Sequence, residues 1–103
     1  MPRQKPWYGI DFDGTLVSII DMTPVKLMVD RVKCFLRDGK DVRIVTSRAN
    51  SSDDTRFVSD WTLQQFGRRL PVTNKKDHEM VELWDDRAVQ VIPNTGKRAD
   101  GKP

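Results

Sequence analysis

A chain of 103 residues has room for one small domain and none for two. Its hydrophobic share of 37% and charged share of 32% suit a soluble globular protein and exclude a disordered one. The formal net charge of +3 is too small an excess to mark a nucleic-acid binder by itself, and no apolar run approaches the ~20 residues that cross a bilayer. The opening MPRQKPWYGI lacks the apolar stretch of a secretory signal, so export is not expected. A lone cysteine, Cys34, has no partner for an internal disulfide, which fits a reducing compartment, the cytoplasm; packing or partial burial is expected for it.

In chain order, residues 7–12 (WYGIDF) are aromatic or branched at most positions and predict a buried strand, running into a turn at Asp13-Gly14-Thr15. Residues 16–23 read as a flap or irregular loop. Thr23-Pro24 reads as an N-cap followed by proline at the first helical position. Val25, Met28, Val29, Val32, Phe35 and Leu36 then recur at helical spacing until Gly39 stops the helix. Residues 42–46 (VRIVT) predict a second strand and 47–52 a polar loop. A second helix is expected over 53–66, with Phe57, Val58, Trp61 and Gln65 on one face and Gly67 as its stop. Short strands follow at 70–73, 81–84 and 89–92, with a loop or single turn over 75–80. From Pro93 the chain is rich in Gly, Lys and Pro and is expected to fray. The domain is thus expected over 1–95, with a flexible basic tail at 96–103.

Strands alternating with helices predict an α/β fold: a mainly parallel, three-layer Rossmann-like sheet with helices on both faces. Ligands of such sheets sit at the carboxyl ends of the strands, near the switch point. Polar groups gather at those ends. Asp11 and Asp13 follow the first strand; Thr46, Ser47 and Arg48 follow the second. Lys75 and Lys76 follow the third, and Asp85 and Asp86 the fourth.

Four acids in one pocket repel one another unless a cation neutralises them. An all-oxygen ligand set without His or Cys suits Mg²⁺, which usually binds through one or two carboxylates and a substrate phosphate. A hydroxyl at Thr46, a fork at Arg48 and an ammonium at Lys76 can hold a phosphoryl group. One carboxylate can then attack phosphorus while another moves the proton.

Asp11-Phe12-Asp13-Gly14-Thr15-Leu16 (DFDGTL) resembles the first motif of the haloacid-dehalogenase-like (HAD) phosphohydrolases. Thr46 at a strand end resembles the second motif, Lys76 the third and Asp85-Asp86 the fourth, together spanning residues 7–92. The run from Trp84 to Val91 is similar to short bacteriophage-encoded HAD-like proteins. Thr46-Ser47-Arg48 and Asp85-Asp86-Arg87 also resemble the phosphatase half of phage polynucleotide kinase–phosphatases.

The resemblance implies a Mg²⁺-dependent phosphatase of the (host) cytoplasm. Asp11 would be nucleophile and metal ligand, and Asp13 the general acid/base with its backbone carbonyl on the metal. Thr46 would hold a phosphate oxygen, and Lys76 would steady nucleophile and phosphate. Asp86, with Asp85 close behind, would complete the metal site. Gly14, Thr15, Ser47 and Arg48 would surround the phosphate. No insertion long enough for a cap domain follows either the first motif or the third strand, so the site is expected to be open. An open site admits a nucleotide or nucleic-acid end, and excludes water poorly unless a homo-oligomer closes it. The rival expectations are a receiver-like phosphate acceptor and a phosphate-binding domain with little turnover. Asp13, two residues after the nucleophile, favours hydrolysis over the receiver.

Overall fold

A computed structural model of the protein describes residues 5–103; the first four residues of the expected 1–95 domain lie outside the described residues. In chain order the elements are β1 (Trp7–Ile10), α1 (Lys26–Arg37), β2 (Asp41–Val45), a 3₁₀ turn (Ser47–Asn50), α2 (Ser52–Phe66), β3 (Val72–Thr73) and β4 (Met80–Trp84). The four strands form one all-parallel sheet in the order β3-β2-β1-β4. No helix among the described residues is long and apolar enough to cross a membrane.

Register decides which side chains share a face. Tyr8 pairs with Val42 and Ile10 with Ile44, so these four stand on one side of the sheet. On that side Tyr8 stacks against Phe35 of α1 at 5.1 Å. Phe12, just past β1, meets Trp61 of α2 edge-on at 5.2 Å. Val29 and Val32 of α1 and Val58 of α2 join Ile10, Phe12, Leu16, Val42 and Ile44 in one buried cluster. Both helices therefore cover the same face. The topology demands it: β1 to β2 and β2 to β3 step in the same direction, and right-handed crossovers put both helices on one side.

This corrects the expectation of a three-layer sheet. The step from β3 back across to β4 spans only residues 74–79, too few for a helix and its two turns. Among the described residues no helix covers the second face. Trp7 takes that place and is fully buried. Arg43 lies 4.5 Å over its ring, and its indole N–H donates to Asp77 Oδ1 at 2.8 Å. Gly9 lets this layer close down, since a Cβ there would sit 3.1 Å from Met80 and Val45.

Three further expectations change. The first helix begins at Lys26 after Val25, which has no polar side chain to cap it. The Thr23 N–H and hydroxyl both donate to Asp21 Oδ1, at 3.1 and 2.7 Å, so Thr23 belongs to the flap. Bridges from Val17 to Asp13 and Pro24 close that flap on itself. Residues 89–92 form no strand of the sheet. Only residues 85–88 separate them from β4, which excludes a parallel return. Instead Ile92 N–H donates to Lys97 O and Ala99 N–H to Gln90 O, at 2.8 and 2.9 Å, so the chain after Pro93 folds back on this segment. Cys34 is exposed rather than packed. The predicted second helix holds, one residue longer, with the Ser51 hydroxyl accepting from Asp54 N–H and Gly67 at φ 75 ending it.

Candidate active site

The chain leaves β1 towards β2 on one side and returns to β4 on the other, so the carboxyl end of β1 is the sheet's switch point. A cavity of about 610 Å³ opens there. Asp11 and Asp13 enter it from β1, Thr46 and Ser47 from β2, Asn74 from β3, and Asp85, Asp86 and Arg87 from β4. Elements distant in sequence thus deliver their polar ends to one place, as the element order predicts.

Asp11 sits where β1 leaves β4: its N–H donates to Trp84 O at 2.9 Å. That bond brings the ends of the two strands together, and with them their acids. Asp11, Asp85 and Asp86 each turn a carboxylate oxygen to within 4.8 Å of the other two. Burial, together with the charges of Asp85 and Asp86, raises the Asp11 carboxyl to about 6, against a lowering hydrogen bond from Phe12 N–H. The Thr15 hydroxyl, itself nearly buried, lies 3.5 Å from Asp11 Oδ2.

Gly14 makes the cluster possible. Its φ is +82, and a Cβ would collide with the Asp86 carboxylate, whose Cγ would lie 2.9 Å away. The turn around it is tightly wound: Gly14 N–H donates to Val17 O, and the N–H groups of Leu16 and Val17 converge on Phe12 O.

Asp13 shares the cavity but is already engaged. The Arg48 guanidinium grips its carboxylate with two hydrogen bonds, at 2.8 and 2.9 Å. Arg48 is further held 5.7 Å from the rings of both Phe12 and Phe57. Its fork, expected to face phosphate, is spent on Asp13. Thr46 is buried at the end of β2, and its Oγ1 accepts from Arg48 N–H at 3.2 Å. Ser47 is exposed on the rim. Lys75 and Lys76 are exposed and stand outside the cavity lining; Asn74, just before them, reaches it and donates to Asn50 Oδ1 at 2.9 Å. His78 is exposed.

No family model, no curated protein and no solved structure matches this chain. The chemistry of the site rests on its own residues. The donor set fits a hard divalent cation: three carboxylates in reach of one another, no nitrogen or sulfur ligand among them, and an acid at about 6 whose neighbours' charges oppose its ionisation.

Sequence reasoning missed Asn50, Asn74 and the flap residue Ile19 as cavity-lining groups, and it named Arg87 only within Asp85-Asp86-Arg87, with no role of its own. Arg87 carried a usable signal, since it directly follows the acidic pair and its backbone must turn with it. The Asn pair carried none, because an asparagine at a strand end is ordinary turn chemistry.

Proposed function

We propose that the protein is a Mg²⁺-dependent phosphomonoesterase of the HAD-like type, without a cap domain, that works through an aspartyl-phosphate on Asp11. The convergence of Asp11, Asp85 and Asp86 within 4.8 Å of one another, beside Asp13 and Thr46, carries this reading. The parallel sheet with its site at the switch point is compatible with a reduced HAD-like core. The flap over 17–24 is too short to act as a cap, so the cavity admits bulky esters. Nucleotides and 3′-phosphorylated oligonucleotide ends are the first substrates to test.

Asp11, Asp85, Asp86 and the backbone carbonyl of Asp13 would hold Mg²⁺, which when bound neutralises the acids and offsets charge on the phosphoryl oxygens. An Asp11 oxygen bonds to phosphorus as the ester P–O bond breaks, and Asp13 gives a proton to the departing oxygen. Asp13 then takes a proton from water, whose oxygen bonds to phosphorus and releases Asp11. The Thr46 oxygen already accepts from Arg48 N–H, so its own proton is left to donate to a phosphate oxygen. Lys76 would have to swing in from the rim to reach the phosphate.

The bidentate grip of Arg48 on Asp13 favours a second reading, a phosphate-accepting domain with little turnover. On this second reading the pair stays closed and Asp13 passes no proton; on the first, Arg48 aims Asp13 and the pair opens when substrate binds. One experiment separates the readings. Asp11→Asn should abolish Mg²⁺-dependent hydrolysis of a generic aryl phosphate and leave the thermal melt of the fold cooperative. Full activity in that variant refutes the mechanism; Mg²⁺ binding without hydrolysis across a broad phosphoester panel supports the second reading.

A further inference from the structure

We propose that Arg87 binds the phosphoryl dianion in this cavity, a role that rests on the phosphatase reading but is tested separately from it. The cavity is lined by four carboxylates, Asp11, Asp13, Asp85 and Asp86, and a dianion entering it needs positive charge beyond that of a divalent ion. Arg48 cannot supply that charge without releasing Asp13, to which both arms of its fork are bonded. Lys75 and Lys76 stand outside the lining. Among the described residues, Arg87 is the one cationic residue that lines the cavity, and its exposed side chain forms no ion pair.

Its main chain is held at the acid cluster. Arg87 N–H donates to Asp85 Oδ1 at 2.7 Å, so the turn that carries the guanidinium is tied to one of the clustered acids. That bond uses the main chain and survives any side-chain substitution except proline. The guanidinium offers a planar fork matched to two phosphoryl oxygens, which an ammonium cannot match.

The test is calorimetric titration of the full chain with inorganic phosphate in saturating Mg²⁺, comparing wild type, Arg87→Ala, Arg87→Lys and Lys75→Ala. Arg87→Ala should weaken phosphate binding about ten- to a hundredfold, the usual worth of a hydrogen bond to a charged group. Arg87→Lys should fall between the two, and Lys75→Ala, an equal loss of charge at the rim, should stay within about twofold of wild type. Mg²⁺ affinity, measured alone, should be unchanged in Arg87→Ala, because this side chain offers no metal ligand. Phosphate binding by Arg87→Ala equal to wild type, an equal loss in Lys75→Ala, or no phosphate binding by wild type each overturns the proposal. Hydrolysis by wild type with an unaltered KM in Arg87→Ala sinks Arg87 and spares the phosphatase. Arg87-dependent phosphate binding without hydrolysis does the reverse.

Discussion

Replacing Asp86 with asparagine should change stability in opposite directions with and without Mg²⁺. Asp11, Asp85 and Asp86 hold carboxylate oxygens within 4.8 Å of one another. Two unit charges at that spacing repel by about 0.9 kcal/mol in bulk water and by about 3.5 kcal/mol at an effective dielectric constant of ~20. Asp85 and Asp86 are exposed, so the watery limit applies, and deleting Asp86 removes two such pairs. Asparagine keeps the shape that packs against Gly14. In metal-free buffer at pH 7 the variant should be more stable by roughly 1–2 kcal/mol, a rise of several degrees in Tm for a chain of this size. Mg²⁺ at about a hundred times its Kd should add about 2.7 kcal/mol to wild type. The variant, with one ligand lost, should gain much less at the same concentration. Thermal melts of both proteins with chelator and with Mg²⁺ read the crossing directly. A variant less stable than wild type without metal, or one stabilised by Mg²⁺ as strongly as wild type, would show that Asp86 neither repels its neighbours nor holds the ion.

Two further outcomes follow from the same geometry. Folding raises the Asp11 carboxyl from 3.8 to about 6, so between those pH values the folded chain holds a proton that the unfolded chain has lost. Metal-free stability should therefore fall as pH rises from about 4 to 6, by about 1–2 kcal/mol once solvent screening is allowed for, and saturating Mg²⁺ should abolish that fall; urea melts across this range measure it. Arg48→Ala should cut kcat about tenfold or more with little change in KM if, as proposed, Asp13 moves the proton and Arg48 aims it, and a rise in kcat would instead favour the low-turnover reading.

The acids of the site were legible in the sequence because their convergence needs only the order of elements. Parallel strands all point their carboxyl ends one way, so Asp11, Thr46 and Asp85 had to arrive at one edge once the alternation was read. What each side chain does there was not legible. The pairing of Arg48 with Asp13 bridges 35 positions and depends on the 3₁₀ turn at Ser47–Asn50, whose backbone the local sequence leaves open. The missing helical layer has its cause in the brevity of the link between β3 and β4, residues 74–79, which a strand-helix alternation does not reveal. The β-propensity of 89–92 said that the segment wanted a strand partner without saying which, and the nearest turned out to be Lys97–Ala99. At Thr23 a cap would have to accept from the first N–H groups of the helix, but its hydroxyl donates to the nearer Asp21 Oδ1 and the helix starts after Val25 instead.

On the proposed chemistry, clustered acids neutralised by a divalent ion let Asp11 capture phosphorus. Acid-quenching the full chain during turnover with Mg²⁺ and an aryl phosphate, then mapping peptides by mass spectrometry, tests it most directly. A single hydroxylamine-labile phosphoryl group on Asp11, absent when Mg²⁺ is chelated, is the expected result. Turnover with the phosphoryl group on another residue, or a phosphorylated Asp11 that forms equally well without metal, would contradict the account.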